Sequence, residues 1–106
     1  MTSTVHNPAE LLRDTLEEQF RTHTDQLTEL TVFSRQPDLG GYDRDTLNGL
    51  IASARQGVAD AAQALRRMSE GTYGICERCQ ASIPVGRLEI LPHARFCVPC
   101  QQKQVG

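Results

Sequence analysis

Two C-x-x-C pairs, at Cys76 and Cys79 and at Cys97 and Cys100, stand seventeen residues apart and hold every cysteine of the chain. Each pair brings two sulfurs to one point through a tight turn. Two such knuckles supply the four thiolates of a tetrahedral Zn2+ with no open position, and a spacing of C-x2-C-x17-C-x2-C lies in the range read as a zinc site. Gly74 precedes the first pair and Pro99 lies inside the second, where a knuckle can use them. Ile75, Ile83, Val85, Leu88, Ile90, Leu91 and Phe96 are the apolar residues available to cover the metal. A redox dithiol is the rival reading, but it wants one C-x-x-C opening a helix after a strand, and no βαβ pattern is present. A catalytic zinc would need a free coordination position, and the H-x-E partner of the zinc deaminases is missing. His93, four residues before Cys97, could replace one sulfur; with four cysteines available it reads as a surface histidine or one beside the ligands.

The remainder of the chain is helical in pattern. Asn7-Pro8-Ala9-Glu10 is a helix start, with Asn7 as cap, Pro8 at the first helical position and Glu10 placed for a capping box. Leu12, Leu16, Phe20, Leu27 and Leu30 then form an apolar stripe with His23 in it, and the helix is expected over about 8–34. Pro37, Gly40 and Gly41 break the pattern, so a turn is expected over about 35–45. Asp43 can cap a second helix, expected over about 44–70, with Asp45 in its first turn. Leu47, Ala54, Ala61 and Met68 recur by sevens, interleaved with Ile51, Val58 and Leu65, which is an a/d heptad of about three repeats. Gly57 interrupts it and marks a bend or a close contact. Two helices of about 27 residues reach ~40 Å each. Their matched lengths and short connection favour an antiparallel pair, although a heptad alone does not say which chain supplies the partner.

The fold expected is therefore mainly α: an antiparallel two-helix coiled-coil hairpin over 1–70 and a small C-terminal four-Cys zinc-finger module over 71–106, clamping the open end. Net charge is only −2 over 106 residues, and it runs from −4 in residues 1–42 to +2 in residues 71–106. That is not the strongly basic footprint of a protein held on nucleic-acid phosphates. No apolar run approaches a membrane span and MTSTVHNPAE lacks a signal-peptide core, so the expected compartment is the cytoplasm. No Ser/His/Asp set, phosphate loop or catalytic carboxylate pair is present, and no enzyme is expected.

Tyr73, Gly74, Cys76, Cys79, Ile83, Arg87, Leu88, Glu89, Pro92, Ala94, Cys97 and Cys100 form a pattern that resembles the DksA/TraR family, bacterial zinc-finger regulators of transcription initiation. The likeness is densest over 71–102; over 8–70 it is one of architecture. It implies one structural Zn2+ on Cys76, Cys79, Cys97 and Cys100. It also implies binding to RNA polymerase without contacting DNA and insertion of the hairpin tip into the secondary channel, with ppGpp as a co-effector in several members; the pairing of the two helices within one chain makes a monomer the expected state. The tip residues would then be Asp38, Asp43, Arg44 and Asp45, and the basic candidates near the channel rim or an alarmone are Arg87, Arg95 and Lys103. The tip reads PDLGGYDRDTL rather than the D-x-x-D-x-A of the family's best-known members, so Asp43 and Asp45 are open to a second reading as helix-capping residues only. The readings from other classes are a zinc-stapled coiled-coil interaction module and a zinc-ribbon nucleic-acid binder.

Overall fold

The computed structural model describes residues 8–105. Helix α1 spans Pro8–Ser34 and helix α2 spans Arg44–Glu70, and each has 27 residues. They are joined by one 3-10 turn at Leu39–Gly41 and followed by the short helices α3, Val85–Ile90, and α4, Val98–Val105. The cap expected from Asn7 lies outside the described residues.

Small and apolar residues hold the hairpin together. Leu12, Leu16 and Leu30 of α1 and Leu47, Ala54 and Ala61 of α2 are buried between the helices or at their ends. Phe20 departs from the expected stripe and stays 37% exposed. Alanines at seam positions of α2 allow the two backbones a close approach. Ala64 and Arg67 are buried although neither belongs to the heptad. Asp60 and Arg67 lie on a second face of α2 that meets the C-terminal module: Arg67 reaches Glu77 and the His93 carbonyl, and Asp60 faces His93.

At the tip, Asp38 accepts a hydrogen bond from the Gly40 backbone N–H at 3.1 Å. Leu39, Gly40 and Gly41 all take left-handed backbone angles, with φ of 54°, 64° and 89°. The Phe33 ring lies so close over Gly40 that a Cβ there would stand 2.5 Å from its Cγ. Asp43 then caps α2, accepting from the Thr46 N–H and from the Thr46 hydroxyl, both at 2.8 Å. Beneath this turn Leu30, Leu47 and Ala54 form one buried cluster, flanked by Leu27, Phe33, Leu39 and Ile51.

At the other end α2 closes with Gly71 in the left-handed region, φ 80°. The Thr72 N–H donates to Arg67 O and the Gly71 N–H to Met68 O, the paired bonds of a Schellman cap. The chain then enters the module, where Leu12 of α1 shares a second buried cluster with Cys76, Ile83, Leu88, Ala94 and Cys100, and Met68 of α2 packs against it. Both long helices are thus anchored in the cysteine-bearing end. The apolar cover is smaller than the composition suggests: Ile75, Val85 and Ile90 face outward, Ile90 at 86% exposure.

Candidate metal centre and hairpin tip

The first knuckle is shaped by its backbone. The Cys76 N–H donates to Ala81 O at 2.8 Å and the Gln80 N–H to Cys76 O at 2.9 Å, while Gln80 takes a left-handed φ of 66° to close the turn. An isolated bridge between Ile75 and Ser82 and the Ile83 N–H bond to Gly74 O, at 2.7 Å, hold the loop shut behind it. The second knuckle opens α4: the Gln101 N–H donates to Cys97 O at 2.9 Å. A Glu77 N–H bond to Arg95 O, at 2.9 Å, ties the two knuckles together.

This scaffold brings the four Sγ atoms within 4.8 Å of one another. Cys76 and Cys100 are buried, Cys97 is half-buried and Cys79 is exposed. Zn–S bonds of about 2.3 Å in a tetrahedron put neighbouring sulfurs about 3.8 Å apart. The Cys79 and Cys97 sulfurs, one from each knuckle, lie 3.7 Å apart. The donor set and its spacing therefore fit a closed Zn2+ site. The two buried thiols are shifted in opposite directions. Burial pushes the Cys76 thiol up, but backbone N–H groups at Cys79, Cys97 and Arg78 outweigh it and bring the thiol down to about 6. Cys100 moves the other way, to about 12, chiefly through its hydrogen bond with Cys97 and secondarily through burial. His93 stands apart from the sulfurs and faces Asp60, Nε2 to Oδ2 at 3.7 Å. It is not one of the converging groups.

The residues beside the metal site are mostly committed within the fold. Arg87 Nε donates to Phe96 O at 3.2 Å. Arg95 grips Glu77 Oε1 through Nε and Nη2, at 3.2 and 2.9 Å, and its guanidinium lies 5.2 Å from the centre of the Phe96 ring. That carboxylate raises Arg95 above the ordinary arginine value, and Glu77 is lowered in return. Lys103 is exposed on α4. The three basic residues do not line one cavity: Arg95 borders a groove of about 560 Å3 with Arg66 and Arg67, and neither Arg87 nor Lys103 does. Arg67 and Glu77 were not singled out in the sequence. Their pairing crosses from α2 to the first knuckle, and no sequence spacing reports it.

At the tip Asp38, Asp43, Arg44 and Asp45 are all exposed. They are not equivalent. Both oxygens of Asp43 are taken by Thr46, and these bonds, the Thr46 N–H foremost, hold its carboxyl below the ordinary range. Asp38 Oδ1 closes the turn on Gly40. Asp45 and Arg44 have no side-chain partner among the described residues. The three carboxylates do not converge as a metal-binding group.

Residues 71–105 match the family described as the prokaryotic dksA/traR C4-type zinc finger. The chain is 43% identical over 59 residues to general stress protein 16O of Bacillus subtilis, a match that covers 56% of this chain and 36% of that protein. It is 39% identical over 49 residues to the RNA polymerase-binding transcription factor DksA of Caulobacter vibrioides, covering 46% of this chain and 34% of that one. These matches thus span little more than a third of the relatives' own length. The solved structure of transcription factor DksA2 from Pseudomonas aeruginosa superposes with a TM-score of 0.74 at 24% identity, over 92% of this chain and 82% of that one. At that identity the likeness establishes the fold. The chain thus carries, at residues 71–105, a zinc finger of the prokaryotic DksA/TraR C4-type family, mounted on a helical hairpin that shares the fold of DksA2.

Proposed function

We propose that this protein regulates transcription initiation by binding RNA polymerase and inserting the hairpin tip into the secondary channel, without contacting DNA and without catalysing a reaction. One observation carries the reading: a DksA/TraR-type finger anchors both helices at one end and leaves the other end free as a stiff tip. A 27-residue helix reaches ~40 Å, enough to carry the tip deep into a large partner. The naming of a Caulobacter relative as an RNA polymerase-binding transcription factor points the same way. In this reading residues 1–70 are the reaching arm. Residues 71–106 are the docking module, stapled by one structural Zn2+ on Cys76, Cys79, Cys97 and Cys100. The protein works as a monomer in the cytoplasm; among the described residues no helix is long and apolar enough to cross a membrane.

Asp43 is spent on capping, so the tip contacts fall to Asp45, Arg44 and the free oxygen of Asp38. Arg87, Arg95 and Lys103 are the rim contacts, and ppGpp is the co-effector to include in any assay. The test is co-migration of the zinc-loaded protein with core polymerase on gel filtration, followed by transcription in vitro with and without ppGpp. Binding together with altered output that Asp45→Asn abolishes supports the proposal. No association at concentrations where the protein is folded and zinc-loaded sinks it.

A further inference from the structure

The hairpin has a buried cluster at each end, and between them lie buried Leu16, Ala61 and Ala64 and one polar contact, at His23. One buried cluster, around Leu30, Leu47 and Ala54, serves the tip, and the other joins Leu12 to the cysteine-bearing module. Between them the seam changes character. The His23 ring lies against Gly57 so closely that a Cβ at Gly57 would stand 2.6 Å from its Cγ and Nδ1. His23 Nδ1 and the hydroxyl oxygen of the next residue, Thr24, are both buried and have no hydrogen-bond partner among the described residues. The contrast within α1 is informative: Thr15, Thr28 and Thr31 each donate to the carbonyl four residues back, at 3.1, 3.0 and 2.7 Å. Phe20, one turn before His23, faces outward. Two surface grooves also reach this layer. One, of about 560 Å3, is bordered by Phe20, Thr24 and Leu65, and the other, of about 350 Å3, by His23, Leu30 and Ala54.

Each of these features weakens the same place. A buried polar atom without a partner opposes the packed state, because opening the seam returns it to water. Glycine within a helix lowers the cost of leaving helical geometry. An apolar seam resists separation in proportion to the area it removes from water, and here that area is interrupted. Local opening free energies follow this density of buried apolar contact. From these we infer that the His23–Gly57 layer is a built-in joint, where the hairpin opens and bends locally while its tip and its metal-bearing end stay packed. The joint lets the tip change direction while the module remains anchored. The inference concerns the free protein and stands whether or not the partner is a polymerase.

The test is amide hydrogen exchange, read by mass spectrometry on the full zinc-loaded chain. Segments 20–26 and 54–60 should exchange faster than 12–18 and 46–52, although all four lie inside long helices. His23→Phe keeps a flat ring on Gly57 and removes the orphaned nitrogen, and it should slow exchange of the mid-hairpin segments roughly tenfold with little effect at either end. His23→Leu serves as the second variant if the phenyl ring fails to seat. Uniform protection along both helices of the natural protein overturns the inference with no substitution needed. So does unchanged mid-hairpin exchange in a folded variant at position 23.

Discussion

The guanidinium of Arg67 lies 3.4 Å from the carboxylate of Glu77, joining α2 to the first cysteine knuckle. Burial lowers Arg67 from the ordinary arginine value, and the Glu77 charge opposes that shift. The Arg67 side chain is only 10% exposed, so its charge depends on this partner. Removing one member of a buried pair is worse than removing the pair, because it leaves a charge without compensation. Glu77→Gln should therefore cost roughly 1–3 kcal/mol, and adding Arg67→Met to it should recover part of the loss. Urea unfolding of the zinc-loaded proteins decides this. A double variant less stable than Glu77→Gln alone would show that Arg67 stabilises by packing and not through the pair.

Leu12 of α1 and Met68 of α2 both pack on the cluster that contains Cys76 and Cys100. Metal binding should therefore be coupled to the closed hairpin, since apolar contacts from both helices end on the cluster that holds two of the four cysteines. Cys79→Ser or chelation should unfold residues 71–105 and also lower the helical circular dichroism signal and melting temperature of the hairpin. A Cys79→Ser protein whose spectrum and melting match those of the parent would uncouple the two ends.

The architecture was legible where one physical signal dominates a segment. Thiolate spacing pointed to the four-Cys end, and apolar periodicity with a Pro-Gly-Gly break pointed to a two-helix hairpin. Asp43, which follows the Pro-Gly-Gly break, read as a cap, and it is one. What escaped depends on contacts that cross the molecule. The burial of Arg67 arises where the module meets a second face of α2, and a heptad describes one seam only. Phe20 fits the stripe by position but stays 37% exposed. Leu39 and Gln80 take left-handed angles that sequence assigns by preference to glycine, held there by the turns they close.

Gly40 and Gly41 both take positive φ but have different surroundings. A side chain at Gly41 would meet nothing within 4 Å, whereas one at Gly40 would strike the Phe33 ring. Gly41→Ala should therefore cost only the left-handed penalty, about 1–2 kcal/mol. Gly40→Ala should cost that plus about 0.5–1.5 kcal/mol for forcing Phe33 out of its rotamer. Urea midpoints of the two variants give the comparison. Equal losses would show that Phe33 swings clear freely and that the tip is softer than its packing suggests.

Tyr73 donates its hydroxyl to Pro92 O at 2.8 Å, from a half-buried position beside the α2 cap. Burial raises its phenol above the ordinary value of 10.0, and Arg67 pulls it back only in part. The fold thus favours the neutral phenol. Below about pH 10 the folded and unfolded chains both keep this proton, and stability does not depend on it. Above that, the unfolded phenol ionises first, so the unfolded state binds fewer protons and stability falls as pH rises. In a Tyr42→Phe background, where Tyr73 is the one remaining tyrosine, absorbance at about 295 nm should follow a transition with its midpoint above 10. A midpoint at or below 10 would mean that the phenol is not buried in solution, and that the packing between the α2 cap and the α3–α4 loop is looser than it stands here.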